Sequence, residues 1–100
     1  RDSIVAGSKY IIWGTGLSGS FIADAVESSG GKLLYAIDSD KAKDGKDFYG
    51  VTTHLPEYLL DKKDGFDYML IGHYSRFEEI RDQALKLGIP ENKIVLPYEI

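Results

Sequence analysis

The sequence predicts an α/β domain, a doubly wound parallel sheet of about five strands in the order 3-2-1-4-5. Two observations carry that prediction. Short aliphatic and aromatic runs alternate along the chain with segments whose apolar residues recur every three or four positions. At the first junction stands Gly14-Thr15-Gly16-Leu17-Ser18-Gly19, a complete G-x-G-x-x-G between a strand pattern and a helix pattern. Such alternation implies right-handed strand–helix–strand units with helices on both faces of the sheet.

The elements follow in order. Lys9-Tyr10-Ile11-Ile12-Trp13, closed by Gly14, is a buried first strand, with Trp13 as core packing. Leu17, Phe21 and Ala25, with Ile22 and Val26 beside them, form one apolar helix face that Gly30-Gly31 stops. Residues 32–38 (KLLYAID) are the second strand, and residues 39–47 are a polar stretch too short and charged for a full crossover helix. A loop or a single turn is expected there. Residues 50–53 are a short third strand, after which Pro56 opens a brief helix over 57–62. Residues 66–72 (FDYMLIG) are the fourth strand. Ser75-Arg76-Phe77-Glu78 has the capping-box form, with Ser75 as N-cap of a helix whose stripe is Phe77, Ile80, Ala84 and Leu87. Gly88 and Pro90 end that helix, and Ile94-Val95-Leu96 is the last strand.

At 100 residues the chain is a single domain, and 43% apolar with 28% charged residues excludes a wholly disordered one. The absence of cysteine excludes disulfides, thiolate metal sites and a thiol nucleophile, and suits a cytoplasmic setting. Net charge is −4 and the 12 basic residues are scattered, so neither nucleic acid nor an anionic membrane surface is expected as a partner. No apolar run approaches the roughly 20 residues of a membrane-spanning helix. The chain begins at Arg1 rather than Met, and residues 1–100 are expected to be a domain excised from a larger protein.

The glycine loop carries the sharpest chemistry. Gly14 permits a tight turn, Gly16 lets a pyrophosphate approach the backbone, and Gly19 lets the helix pack close to the strands. The free N–H groups and positive dipole end of that helix then face the anion. Asp38 closes the second strand, nineteen residues after Gly19, where a carboxylate accepts hydrogen bonds from an adenosine ribose. Its charge opposes a 2′-phosphate and favours NAD over NADP, a preference that Lys41 and Lys43 weaken. His73 follows the fourth strand in the cluster G-H-Y-S-R, at the same carboxyl edge. The expected cofactor-contacting residues are Gly14, Thr15, Gly16, Leu17, Ser18, Gly19, Asp38, Ser39 and His73. The expected cofactor is NAD.

Other chemistries find no support. The position two residues before Gly14, where S-adenosylmethionine enzymes usually carry an acid, is Ile12. The loop is neither a nucleophile elbow nor a P-loop. His54 has no partner at metal-ligand spacing and reads as a solvated loop residue. The acids Asp40, Asp44 and Asp47 alternate with lysines in a solvated loop.

The segments IIWGTGLSG, YAIDSDKAKDGKDFYGV and FDYMLIGHYSRFEEIRDQALKLGI resemble the small Rossmann domains of bacterial surface-sugar enzymes. The resemblance is to two kinds of unit: the N-terminal domain of capsular polysaccharide nucleotide-sugar epimerases and dehydratases, and the C-terminal domain attached to sugar C-methyltransferases. The likeness runs from Lys9 to Pro97 and includes Phe48-Tyr49-Gly50-Val51. It implies a unit that holds a nucleotide, or serves as a structural partner, while catalysis lies elsewhere in a longer polypeptide. No catalytic residue carries over. The function expected is NAD(H) binding within an enzyme of nucleotide-sugar or surface-polysaccharide metabolism, the remaining domains of that polypeptide being partners. The alternative is a non-binding module beside a methyltransferase or glycosyltransferase domain.

Overall fold

The computed structural model describes residues 7–62 and 65–99; Arg1, on which the expectation of excision rests, lies outside them. In chain order the elements are β1 (Lys9–Trp13), α1 (Leu17–Ser28), β2 (Lys32–Ile37), β3 (Asp47–Phe48), β4 (Val51–His54), β5 (Tyr68–Ile71), α2 (Phe77–Lys86) and β6 (Ile94–Val95). Short 3-10 turns occupy Lys41–Lys43, Pro56–Asp61, Glu91–Lys93 and Pro97–Glu99. The sheet order is β3-β4-β2-β1-β5-β6. All neighbours pair in parallel except β3 and β4. The five expected strands are therefore present in the expected order. The two-residue β3 is an addition, an antiparallel edge inside what the composition marks as loop.

That edge is made by a two-residue turn. Tyr49 and Gly50 both have positive φ, 50° and 80°, the signature of the tight hairpin turn that matches strand twist. The crossover from β2 is otherwise the single turn Lys41–Lys43, capped by the Asp40 carboxylate accepting from Ala42 N–H at 3.0 Å.

Every side chain of β1 from Tyr10 to Trp13 is buried, as a central parallel strand with both faces covered requires. Tyr10 and Ile12 join Ala36, Leu70 and the α1 residues Ile22, Ala23 and Val26 on one face. Ile11 and Trp13 join Ile37, Met69, Ile71, Leu59 and the α2 residues Ile80 and Ala84 on the other. Helices on both faces are thus observed.

Two readings of helix residues are corrected. In α1 the buried side is Gly19, Ile22, Ala23 and Val26, whereas Leu17 and Phe21 are 76% and 63% exposed. Ile22 and Val26 of the expected face are buried, but its four-residue recurrence at Leu17 and Phe21 turns outward, because both sides of this helix carry apolar residues. Ser75 does not cap α2. The N-cap is Arg76, and the Ser75 hydroxyl turns instead to His73 Nδ1 at 3.3 Å. Both helices end as their glycines suggest, with Gly31 N–H bonding the Val26 carbonyl and Ile89 N–H bonding that of Ala84. Among the described residues no helix is long and apolar enough to cross a membrane.

His54 is also corrected: it ends β4, and its ring stacks on Tyr58 with centroids 3.6 Å apart. Tyr35 meets the same pair edge-on, and its buried hydroxyl has no hydrogen-bond partner among the described residues. Burial, with the neighbouring Tyr58, pushes the Tyr35 phenol up to about 12. The raised value means that folding opposes ionisation of Tyr35: the linked stability is fully present below the unfolded phenol value near 10 and is lost as pH rises toward 12. Tyr35→Phe removes an unsatisfied buried group. It is expected to leave stability at pH 7 unchanged or raise it by up to about 1 kcal/mol. In urea denaturation series the variant should gain on the parent between pH 10 and 12.

The closest backbone approach lies where β1, α1 and β5 converge. A methyl group on Gly19 would overlap the Gly14 carbonyl oxygen. One on Gly72 would sit 2.8 Å from that same oxygen and 2.9 Å from Gly19 Cα. Both neighbours are backbone and cannot turn aside. Gly72→Ala is accordingly expected to cost about 2–3 kcal/mol in urea denaturation, with loss of close helix–strand packing.

Candidate functional site

The carboxyl ends of β1, β2 and β5 meet at one edge of the sheet. Gly14 N–H continues the ladder to the Ile37 carbonyl at 2.8 Å, Gly72 N–H to that of Trp13 at 2.8 Å, and Asp38 N–H to that of His54 at 3.0 Å. These bonds set the glycine loop beside Asp38 on one side and His73 on the other. Gly14 turns the chain with φ of 117°, a conformation that side chains rarely adopt. The chain then enters α1 through Gly16, which caps the helix without any side-chain bond. The first turn of α1 holds no acid, whereas that of α2 holds Glu78 and Glu79. The amino end of α1 therefore presents its N–H groups and dipole without a countercharge in its own first turn.

Asp38 braces the loop directly. Its Oδ2 accepts from Thr15 N–H at 3.0 Å and from the Thr15 hydroxyl at 2.8 Å, and its Oδ1 accepts from Asp40 N–H at 2.9 Å. Lys43 Nζ stands 3.7 Å from Oδ2. Burial works against the charge of Asp38. The hydrogen bonds from Asp40 and Thr15, helped by the Lys43 ammonium, outweigh it and hold the carboxyl below its usual value.

Across the cleft, His73 Nδ1 accepts from Arg76 N–H at 3.2 Å, which leaves the neutral ring its proton on Nε2. Arg76 pairs with Glu79 at 2.8 Å on the surface. An open cleft runs between these groups, lined by Gly14, Thr15, Gly16, Asp38, Ser39, Asp40, Lys43, His73 and Arg76. It continues past Trp13 to Glu79, Ile80 and Gln83 of α2.

Six of the nine expected residues thus line one cleft: Gly14, Thr15, Gly16, Asp38, Ser39 and His73. Leu17 points its side chain to solvent, Ser18 stands in the first turn of α1, and Gly19 is buried against the loop. Glu79 and Gln83 were not foreseen, because nothing in a helix pattern marks which polar residues face a cleft. Gly72 was also missed as part of the loop's support. Its signal was a second strand that ends, like the first, in glycine.

A model of C2185-like N-terminal domains matches residues 6–95. The chain belongs to that family. A search of curated sequences gives no match. Among solved structures, this C2185-like domain is similar to UDP-D-quinovosamine 4-dehydrogenase from Vibrio fischeri, with TM-score 0.68 and 22% identity, over 91% of this chain and 76% of that one. It is also similar to RSP, a Rex-family repressor, with TM-score 0.68 and 19% identity over 91% of this chain. The chain spans about half of that repressor, 52% of its length. RSP has also been solved in complex with β-NAD+ and operator DNA, and there the likeness has TM-score 0.66 and 20% identity, covering 89% of this chain and 49% of that one. At these identities the likeness is one of fold, and it establishes the Rossmann-like class.

One expectation is overturned by that comparison. Scattered basic residues and a charge of −4 led to the exclusion of nucleic acid as a partner. A protein containing this fold binds operator DNA, and the matched part is 49% of its length. Net charge summed over one unit does not report the surface of a whole protein, so the C2185-like domain carries no such exclusion.

The brace made by Asp38 yields a stability test. Asp38→Asn removes the charge and replaces one acceptor oxygen by an amide, against three protein donors. A loss of about 1–2 kcal/mol at pH 7 is expected in urea denaturation. Because folding lowers the carboxyl value, the advantage of Asp38 is present above the unfolded value near 3.9 and vanishes as pH falls through the folded one. Parent and variant should therefore converge in acid.

Proposed function

We propose that this domain binds NAD(H) at the carboxyl edge of its sheet, as the dinucleotide-holding unit of a longer enzyme acting on nucleotide-linked sugars or surface polysaccharide. The single observation that carries the reading is Gly16. Its φ of −83° and ψ of −159° suit any residue, and a side chain there would meet nothing within 4 Å. Serine, aspartate or asparagine would cap α1 better. Neither backbone strain nor internal packing asks for glycine at this position, and a ligand lying against the main chain gives it a reason. A pyrophosphate lying against the backbone at a bare helix terminus supplies it.

The neighbouring groups support the same ligand. Asp38 Oδ1 accepts one described bond, from Asp40, and retains capacity for a ribose hydroxyl. Ser39 and His73 stand on the walls that the adenosine half would meet. The neighbours whose structures hold NAD+ or NADH, the RSP complexes, share this fold. The likeness to a UDP-sugar dehydrogenase, together with the resemblance of the glycine loop and of the segment after Asp38, supports the sugar pathway. A cysteine-free chain suits cytoplasmic work on such substrates. Bound NAD(H) would supply hydride transfer; this domain's residues hold and orient it, and the reacting groups lie in the rest of the polypeptide.

Calorimetric titration with NAD+, NADH, NADP+ and ADP tests the proposal. NAD(H) should bind, and NADP+ should bind about tenfold more weakly because the Asp38 carboxylate would oppose a 2′-phosphate. Gly16→Ala should weaken NAD(H) at least about tenfold while costing about 1 kcal/mol of stability or less. Absence of heat and of thermal shift with every nucleotide would overturn the reading. Asp38 would then be a brace for the loop and nothing more, and the domain a structural module.

A further inference from the structure

Arg76 occupies the N-cap position of α2 and makes no side-chain capping bond there. Serine, threonine, aspartate or asparagine would serve the helix better, and a cation at this end opposes the helix dipole. Among the described residues the guanidinium pairs with Glu79 alone, at 2.8 Å, and both side chains are more than half exposed. Such a pair contributes at most about fivefold to an equilibrium, and salt screens it. Arg76 nevertheless lines both stretches of the cleft, from the glycine loop at one end to Ile80 and Gln83 at the other.

The charge balance of the cleft gives this cation a use. The pyrophosphate of a dinucleotide carries two negative charges, whereas the amino end of α1 offers it a dipole worth roughly half a unit charge. Lys43, the other permanent cation on the wall, stands 3.7 Å from Asp38 Oδ2 and is committed to that acid. The backbone N–H of Arg76 is fixed by His73 Nδ1, so the side chain moves from an anchored base. We propose that Arg76 is an exchangeable arm that leaves Glu79 for the pyrophosphate of a dinucleotide and closes the α2 side of the cleft over it. Its planar guanidinium presents paired N–H donors to two phosphoryl oxygens, a geometry that an ammonium lacks. The inference rests on the reading of this cleft as a dinucleotide site and adds the residue that balances the ligand's charge.

Titration of the domain with NADH, ADP and adenosine at low salt tests it. Arg76→Gln should weaken NADH and ADP at least about fivefold and leave adenosine, which has no phosphate, within about twofold. Glu79→Gln, which frees the guanidinium, should tighten NADH about two- to fivefold, and most of that gain should vanish when Arg76→Gln is combined with it. The urea midpoint of Arg76→Gln should equal or exceed that of the parent, since the variant removes a cation from the positive end of α2. Unchanged NADH affinity in Arg76→Gln would overturn the arm and leave the dinucleotide site standing. Equal weakening of adenosine, or a lowered urea midpoint, would make Arg76 a support of the wall or of the helix and overturn it as well. Binding of none of the three nucleotides by the parent would remove the site and the arm together.

Discussion

Where β1, α1 and β5 converge, three glycines stand in place of side chains, and the separation of helix and sheet is set by backbone touching backbone. Gly14 carries the turn, Gly19 lies against its carbonyl, and Gly72 closes the third side at the end of β5. Any Cβ on Gly19 or Gly72 collides with main chain, so no rotamer change relieves it. The consequence reaches beyond packing. Because α1 is drawn in at its first turns, Gly16 comes to rest at the sheet edge next to Asp38, and Ile22, Ala23 and Val26 reach the β1–β2 surface farther along the helix. The cleft and one half of the core therefore depend on the same contact.

Charge around the cleft is arranged in pairs rather than as a field of one sign. Lys43 faces Asp38, and Arg76 faces Glu79. The second pair is exposed on both sides, and such a pair contributes little to stability. Arg76 is consequently able to leave Glu79 for an anion without a large loss. Asp38 differs, because it is shielded and held by three donors from the protein itself. One side of the cleft is thus fixed and the other adaptable.

The order of the sheet was legible because central strands announce themselves: Tyr10 to Trp13 and Met69 to Ile71 are apolar at every position, and glycines end both strands. The cleft was legible for a related reason, since a glycine loop after β1 and an acid after β2 must share an edge once those strands pair. What was not legible depended on tertiary choice. Periodicity put Leu17 and Phe21 on the buried face beside Ile22 and Val26, yet with Gly19 set against the loop only the latter pair faces inward. Ser75 had the right spacing for a cap, but His73 Nδ1 takes the Arg76 N–H and the helix begins one residue later. The pair Asp47–Phe48 became a strand through the turn at Tyr49-Gly50, where composition alone suggested solvated loop.

The bonds between Asp38 and Thr15 bear on how the two readings of this acid relate. A carboxylate spent on its own loop looks at first like a purely structural group. Yet a ligand site gains affinity when its groups are already held in the geometry that binding needs, because the ordering cost is met during folding. Oδ2 is committed to Thr15 and holds the loop against β2, while Oδ1, bonded to Asp40 N–H, fixes the direction of the free lone pair. Bracing the loop and presenting an acceptor use different oxygens of one side chain. The structural role of Asp38 therefore does not compete with a binding role, and by fixing Thr15 beside Gly16 it makes the approach to the amino end of α1 rigid.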